Sequence, residues 1–302
     1  MNRPDLNTIK KINLYPDFLV KEINSKLNYY IGKYKNIPRI LREAIDYCVK
    51  NGGKRFRPVL CTATADSLGS DYHSVMPTAC AIEFIHTYSL IHDDLPAIDN
   101  DDLRRGKPTC HKKFGEDIAI LAGDALFAES FNIILDYQAA PADSLVRVLK
   151  EITGASGASG MVAGQIIDVY YTGTRISKNK LENMHFNKTA KLIIASVRSA
   201  AIICGADGDL LEGLTKYASN IGLAFQITDD IIDITSSSSI TGKTSGKDIK
   251  QKKNTYPFFW GINKSKKIAR DKTFEAIEII HKMDLKGKLL EDLAKFILVR
   301  EV

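Results

Sequence analysis

The sequence predicts an all-α fold, and three patterns support that prediction. Apolar residues recur at intervals of three and four, as in Leu210, Leu214 and Tyr217, which is the spacing of one helix face. Runs that alternate apolar and polar residues, as half-buried strands do, are nearly absent. Turn signals such as Asn-Gly-Gly at 51–53 and Ala-Pro at 140–141 separate segments of helix length.

Length and composition indicate one globular domain that spans residues 1–302. The chain is 44% hydrophobic and 26% charged, values ordinary for a globular protein with a sizeable core. No repeat with a period of twenty to fifty residues is visible, so a solenoid is not expected.

Charge and cysteine usage narrow the classes of function. The net charge is +6, but lysines and arginines are scattered rather than gathered in one block, which disfavours nucleic acid as a partner. The five cysteines include no Cys-x-x-Cys pair, so neither a disulfide framework nor a zinc site is indicated. The N-terminus is polar, and Asp124 and Glu129 interrupt the longest apolar stretch, 118–135. We therefore expect a cytoplasmic protein without a membrane span.

Two segments do not have a simple helical pattern. The run Gly-Ala-Ser-Gly-Ala-Ser-Gly at 154–160 has the composition of a flexible linker, although small residues also let two helices pack closely. The segment 236–246 is rich in Ser, Thr and Gly and is predicted to be a mobile loop.

A first acidic motif follows the apolar helical run 79–91 and reads His-Asp-Asp-Leu-Pro-Ala-Ile-Asp-Asn-Asp-Asp-Leu-Arg-Arg-Gly from 92 to 106. A solvated acidic turn is the simplest alternative, but carboxylates placed directly after an apolar run indicate a core helix that opens into a cavity. On a straight helix Asp93 and Asp99 would point about 120° apart. Pro96 disfavours helix at this point, so we expect the chain to fold Asp99 back toward Asp93.

A second acidic motif, Gln-Ile-Thr-Asp-Asp-Ile-Ile-Asp at 226–233, lies within another apolar helical run. Asp229 and Asp233 share one helix face, with Gln226 about 60° away on the preceding turn. Buried carboxylates on one face repel each other unless a cation compensates them. Carboxylate ligands of this kind suit Mg²⁺, which also uses substrate phosphates as ligands.

Together the two motifs resemble the first and second aspartate-rich motifs of the trans prenyl diphosphate synthases. Six further blocks follow in the order of that family, over nearly the whole chain: Gly-Gly-Lys-Arg-Phe-Arg-Pro at 52–58, Phe-Gly-Glu at 114–116, Leu-Ala-Gly-Asp-Ala-Leu at 121–126, Gly-Gln-Ile-Ile-Asp at 164–168, His-Phe-Asn-Lys-Thr at 185–189, and the stretch from Gly-Lys at 242–243 to Lys-Asn-Thr-Tyr-Pro at 253–257.

The resemblance implies a fold, an activity and partners. The expected fold is the isoprenoid synthase fold, a bundle of about a dozen helices around a deep cavity, usually as a homodimer. It implies a tightly packed helix at 154–160. The expected activity joins isopentenyl diphosphate to dimethylallyl or geranyl diphosphate to give farnesyl diphosphate.

The resemblance also implies roles for individual residues. About three Mg²⁺ ions, with Mn²⁺ as a possible substitute, would hold the allylic diphosphate through the carboxylates of Asp93, Asp94, Asp99, Asp229, Asp230 and Asp233. Polar and basic groups would contact the same diphosphate: Arg104, Lys188, Thr189, Gln226, Lys243 and Lys253. Isopentenyl diphosphate would be held directly by Lys54, Arg57, His86 and Arg105.

The catalytic groups implied by the family are oxygens aimed at the allylic cation. These are the Thr189 hydroxyl, the Gln226 amide oxygen and the Lys188 carbonyl, while the departing diphosphate removes the final proton. Thr189 and Gln226 could instead be ordinary hydrogen-bonding residues of helices, and His86 a core histidine. We expect His92 to support the first motif and Asp124 and Asp168 to be structural.

Product length is predicted from Tyr88 and Ser89, which precede Asp93 by five and four residues. An aromatic residue at the Tyr88 position accompanies farnesyl products in the family, because it can form the floor of the cavity; the alternative is that Tyr88 only packs in the core. The sequence departs from the family at Ala163, where many members have glycine. It keeps Arg300 but lacks the fuller basic tail that helps to close the site.

Four other functions are alternatives to a farnesyl diphosphate synthase. A geranylgeranyl diphosphate synthase has nearly the same motifs and stays open. A terpene cyclase has no use for the basic 52–58 block. A non-catalytic partner subunit usually loses one acidic motif, and both are intact here. A di-iron protein would require Glu-x-x-His pairs, which are missing.

Overall fold

The computed structural model describes residues 14–235, 253–283 and 285–300. The helices of these residues are α1 Asp17–Lys33, α2 Arg39–Lys50, α3 Phe56–Ser67, α4 Met76–Asp93, α5 Cys110–Phe114, α6 Glu116–Tyr137, α7 Ala142–Ser156, α8 Met161–Tyr170, α9 Lys178–His185, α10 Lys191–Ile203, α11 Gly208–Thr235, α12 Tyr256–Trp260, α13 Ile262–His281 and α14 Leu289–Val299. A 3₁₀-helix spans Tyr72–Val75 and a π-helix Phe186–Ala190. The predicted all-α class is confirmed.

The small β-hairpin follows the first acidic motif. Its strands β1, Leu103–Arg104, and β2, Lys107–Pro108, pair antiparallel. Arg105 and Gly106 form its turn with φ of 54° and 74°, the left-handed conformation that matches the twist of a hairpin. Arg104 and Arg105 thus lie at the tip of a short, stiff ribbon.

The core is built around α4 and α11, the helices that carry the two acidic motifs. Residues 78–85 of α4 are buried without interruption, as in a helix enclosed by other helices. Helix α4 packs mainly against α6, and α11 packs against α13 and α10. The two motifs are therefore attached to the most enclosed helices of the bundle.

The segment 154–160 is only partly helical, which corrects the expectation of a packed helix. Helix α7 ends at Ser156, and a turn leads through Gly157 to α8. The turn is tight, since a Cβ on Gly160 would lie 2.1 Å from the carbonyl oxygen of Ala155. It is therefore a compact corner between two helices rather than a linker. The predicted loop at 236–246 lies outside the described residues.

Helix α6 is long and apolar enough to cross a membrane by length and composition. One face packs against α4 and α2, while Ile120, Leu121 and Leu135 on the other face are exposed. A core helix of a globular protein can have the same length and composition. The expectation of no membrane span stays a prediction.

Candidate active site

A cavity of about 710 Å³ lies among α3, α4, α8, the π-helix and α11. Most of the residues singled out in the sequence line it: Arg57, His86, Tyr88, Ser89, Asp93, Asp99, Arg104, Arg105, Lys188, Thr189, Gln226, Asp229, Asp230, Asp233 and Lys253. Lys54 and Asp94 are not part of the lining, and Lys243 lies outside the described residues.

The first acidic motif folds back as predicted. Helix α4 ends at Asp93, and the backbone N–H of Asp99 donates a hydrogen bond of 2.9 Å to the carbonyl oxygen of Asp93. The Asp99 carboxylate accepts a hydrogen bond of 2.9 Å from Lys253. Burial alone would raise the pKa of Asp99, but the ammonium groups of Lys253 and Lys188 outweigh it and lower the pKa.

Asp94 is directed away from the cavity, which differs from its predicted role as a metal ligand. Its two carboxylate oxygens accept hydrogen bonds of 2.7 and 2.5 Å from the Arg104 guanidinium, and Asp94 is only 2% exposed. The reason is geometric, because adjacent residues at a helix end point about 100° apart. Asp94 thereby anchors the β-hairpin to the end of α4.

The position of Lys54 also differs from the prediction, which placed it in the cavity beside isopentenyl diphosphate. Its ammonium lies 4.8 Å from the centre of the Phe296 ring, and its carbonyl oxygen accepts a hydrogen bond of 2.6 Å from the Tyr15 hydroxyl. Burial lowers the pKa of Lys54, and the Arg300 charge lowers it further. The structure thus places Lys54 beside the C-terminal helix rather than in the cavity wall.

Three predicted isopentenyl diphosphate ligands form one basic corner of the cavity: Arg57, His86 and Arg105. Burial and the charges of Arg57 and Arg105 lower the pKa of His86, so its imidazole is neutral at pH 7. Burial lowers the pKa of Arg105 to about 10. Arg57 is 8% exposed, and its Nε is buried with no hydrogen-bond partner among the described residues. An anion at this corner would supply the missing acceptor.

Gly53 allows the hairpin to reach this corner. A Cβ at Gly53 would lie 2.6 Å from the guanidinium carbon of Arg105, and Arg105 donates a short hydrogen bond to the Gly52 carbonyl. The Asn51 side chain donates to the Arg104 carbonyl at 3.1 Å. The glycine-rich turn and the hairpin therefore hold each other in position.

In the second motif, Asp230 is held by hydrogen bonds. Its carboxylate accepts from Gln226 Nε2 at 2.7 Å and from the backbone N–H of Tyr256 at 2.9 Å. Asp229 instead pairs with Arg300, which also donates to the Phe225 carbonyl at 2.8 Å. Arg300 therefore reaches the second motif from the end of α14, a contact that the sequence left undecided.

The oxygens expected to face the allylic cation lie on and beside the π-helix. Thr189 donates a short hydrogen bond to the amide oxygen of Gln226. Two glycines allow the π-helix to pack closely: a Cβ on Gly164 would lie 2.2 Å from the Lys188 backbone nitrogen, and one on Gly222 would lie 2.6 Å from the Ala190 Cβ. A π-helix places its residues out of the α-helical register and is frequent at functional sites.

Asp168 has a larger part in the site than its sequence context indicated. It accepts a hydrogen bond of 2.5 Å from Lys188 and lies 3.8 Å from the Lys253 ammonium. Burial would raise the pKa of Asp168, but Lys188 and Lys253 lower it to about 2. The same pairing raises the pKa of Lys188 against the effect of burial. Asp168 thus orients both lysines.

His185 was also missed as a site residue. It lines the cavity, is 3% exposed and lies 3.5 Å from Asp230. Burial lowers the pKa of its imidazole to about 3. The signal in the sequence was its place at the start of the 185–189 block.

The donor set fits Mg²⁺ in the way that this ion usually binds. Asp93, Asp99, Asp229 and Asp233 present carboxylate oxygens to one cavity. No group of three or more potential ligands among the described residues is close enough to hold an ion alone. Mg²⁺ prefers one or two carboxylates completed by substrate phosphates and water. The site therefore suits an ion that arrives with a diphosphate.

The fold and the site together define an all-α enzyme of the isoprenoid synthase type, with two acidic motifs and a basic corner around one cavity. The profile of the family described as polyprenyl synthetase matches residues 38–293, and the chain belongs to that family. It is a short-chain prenyltransferase of isoprenoid biosynthesis.

Individual relatives agree on the class but not on the product. A geranylgeranyl diphosphate synthase of Cyanophora paradoxa is 46% identical over 88% of this chain and 91% of its own length. A farnesyl diphosphate synthase of Micrococcus luteus is 42% identical over 96% of this chain and 98% of its own length. A geranyltransferase crystal structure from Helicobacter pylori, complexed with magnesium and isoprenyl diphosphate, has a TM-score of 0.83 at 31% identity and covers 99% of this chain and 97% of its own.

Proposed function

We propose that this enzyme condenses isopentenyl diphosphate with dimethylallyl and then geranyl diphosphate and releases mainly farnesyl diphosphate. The observation that carries the proposal is the contact of Tyr88 with Phe127 in the cavity wall behind the first acidic motif. The ring centres lie 4.9 Å apart in an edge-to-face arrangement, a favourable geometry for aromatic pairs.

Tyr88 can limit the depth of the cavity because other aromatic rings pack against it and hold it in place. Phe131 packs against Phe127 at 5.1 Å, and His92 lies 5.7 Å from Tyr88. Tyr88 lies about 7.5 Å along α4 from Asp93, given the rise of a regular helix. Burial raises the pKa of its hydroxyl to about 12, so the ring is uncharged. A chain that grows away from the diphosphate would meet this ring.

The allylic diphosphate is proposed to bind between the two acidic motifs. The carboxylates of these motifs would hold Mg²⁺, about three ions by family resemblance with Mn²⁺ as a substitute, which would supply positive charge to stabilise the leaving diphosphate. Lys253 pairs with Asp99 of the first motif, Lys188 pairs with Asp168, and both ammonium groups would turn toward the diphosphate. The two lysines hold charge where negative charge develops.

The basic corner is proposed to hold the diphosphate of isopentenyl diphosphate. Arg57 and Arg105 provide guanidinium forks, and neutral His86 can donate one N–H. Thr189 and Gln226 lie where an allylic cation needs oxygen dipoles and exclusion of water. The departing diphosphate is the proposed acceptor of the final proton.

Geranylgeranyl diphosphate is the second candidate product. It is favoured by the several relatives that carry that name, including one of Catharanthus roseus at 44% identity. Both products require the same chemistry, and only the depth of the cavity separates them. We further propose a cytoplasmic homodimer, with the exposed apolar face of α6 as part of its interface.

Product analysis tests the assignment. The purified enzyme is supplied with labelled isopentenyl diphosphate and, in separate reactions, dimethylallyl, geranyl or farnesyl diphosphate, and the dephosphorylated products are separated by chromatography. We expect fifteen-carbon product from the first two primers and little from farnesyl diphosphate. A main product of twenty carbons would replace farnesyl with geranylgeranyl diphosphate synthase.

A further inference from the structure

Arg55 lies in the turn between α2 and α3, next to the residues assigned to isopentenyl diphosphate. Its φ of 54° is left-handed, a conformation that is sterically unfavourable for a non-glycine residue. Such a backbone persists only where the surroundings hold it in place. Arg57, which lines the cavity, follows within the first turn of α3.

The guanidinium of Arg55 is the group that holds the turn. It donates to Glu83 Oε1 at 2.8 Å, to the Val49 carbonyl at 2.5 Å and to Asn24 Oδ1 at 2.8 Å. The Arg55 and Glu83 side chains are each 2% exposed. One buried side chain thus joins α1, the end of α2, and α4 to the turn before α3.

Glu83 connects the same ion pair to the other wall of the basic corner. It lies on α4 one turn before His86, and its negative charge acts favourably on both Arg57 and Arg105. Without it, Arg55, Arg57 and Arg105 would stand close together with uncompensated charge. Neither Arg55 nor Glu83 lines the cavity.

We propose that Arg55 and Glu83 are positioning residues for isopentenyl diphosphate: their buried ion pair fixes the distance and orientation between Arg57 on α3 and His86 on α4. The inference rests on the proposed function of that corner. It assigns no contact with substrate to either residue. It requires that the pair affect the isopentenyl diphosphate subsite and leave the allylic subsite, across the cavity, unchanged.

Two conservative variants test the proposal. Arg55→Lys keeps the charge but loses the fork that makes three hydrogen bonds, and Glu83→Gln keeps the shape but removes the charge. We expect each variant to raise the KM for isopentenyl diphosphate about tenfold, because Arg57 and His86 would no longer be held in position to bind it. The KM for the allylic substrate and the kcat with both substrates saturating should change by less than about threefold.

Arg198→Lys is the matched control. Arg198 also forms a supported ion pair, with Glu151 at 2.7 Å and Thr215 at 2.6 Å, but it does not line the cavity. Its variant should lower the melting temperature without changing either KM. If Arg55→Lys and Glu83→Gln behave like this control, or raise both KM values equally, the ion pair is only structural and the proposal is wrong.

A double variant keeps the proposal testable if the single variants do not fold. Arg55→Gln combined with Glu83→Gln removes both charges of the ion pair together, so neither partner is left as an unpaired buried charge. The same selective rise in the KM for isopentenyl diphosphate is expected, and its absence overturns the proposal.

If the wild type does not transfer prenyl groups, the proposed function fails. Calorimetric titration with isopentenyl diphosphate then decides the inference: weaker binding by the variants supports it and equal binding rejects it.

Discussion

The ammonium of Lys253 lies 2.9 Å from a carboxylate oxygen of Asp99, although 154 positions separate the two residues. This contact joins the first acidic motif to the segment that follows the second. A similar pair joins Arg300 to Asp229. Each acidic motif therefore has a carboxylate compensated by a basic side chain from elsewhere in this chain.

Asp93→Ala and Asp229→Ala should each lower kcat at least about a hundredfold, because each removes a carboxylate proposed to hold the Mg²⁺ that stabilises the leaving diphosphate. Steady-state assays with saturating substrates measure the loss. Asp102→Ala is the control, since the Asp102 side chain is 73% exposed and pairs with Lys112. Chelator should abolish the wild-type activity and Mg²⁺ restore it; full turnover in excess chelator would contradict the metal role.

Arg57→Ala should raise the KM for isopentenyl diphosphate at least about tenfold while changing that for the allylic substrate little, because Arg57 stands at the basic corner and has an unfilled donor. Lys243→Ala should weaken the allylic side instead. Initial rates with each substrate varied in turn separate the effects. Equal effects on both substrates in both variants would show that the two pockets are assigned wrongly.

Tyr88→Ala should extend the product by at least one five-carbon unit, because removal of the ring opens the wall in front of Phe127. Chain length is read by chromatography of the dephosphorylated products. Thr87→Ala is the control, because Thr87 does not line the cavity and its hydroxyl donates to the Glu83 carbonyl; this variant should keep the wild-type product. A folded Tyr88→Ala enzyme that still stops at fifteen carbons would place the floor elsewhere.

Gly164→Ala should destabilise the protein by about 1–3 kcal/mol and lower kcat, because its Cβ would collide with the Lys188 backbone. Denaturant unfolding and kinetics measure the two effects. Gly154→Ala is the control, since nothing lies within 4 Å of its Cβ, and in a helix it should stabilise by up to about 1 kcal/mol. Similar behaviour of the two variants would mean that close packing of the π-helix is not required.

His185 should make the protein less stable in acid. Its folded pKa of about 3 lies below the ordinary value of 6.5 because the imidazole is buried. Between these values the unfolded state binds the extra proton, so stability falls as pH falls from about 6.5 toward 3. The slope reaches at most about 1.4 kcal/mol per pH unit.

Unfolding of metal-free protein at pH 7.5, 6.5 and 5.5 measures this slope. For His185→Gln, whose side chain does not titrate in this range, the free energy of unfolding should depend less steeply on pH than it does for the wild type. Identical slopes for His185→Gln and the wild type would assign the acid sensitivity to other groups.

Much of the fold and part of the site could be predicted from local sequence. The all-α class followed from apolar spacing, and the return of Asp99 to Asp93 followed from Pro96 and helix geometry. The 154–160 segment was misjudged because Gly and Ser composition suits a linker, a packed helix or a tight corner equally well. The family resemblance placed Asp94 and Lys54 in the site, but neither lines the cavity, because adjacent side chains point in different directions.

The sequence by itself determined which chemical groups are available: two carboxylate clusters, a set of basic residues and an aromatic residue before Asp93. These follow from residue identity and from spacing within one helix or turn. Only the tertiary structure decided which of them meet, as in Arg55 with Glu83, Lys188 with Asp168 and Arg300 with Asp229. Such pairs join different helices, and their distances depend on packing of the whole bundle, which no local pattern encodes.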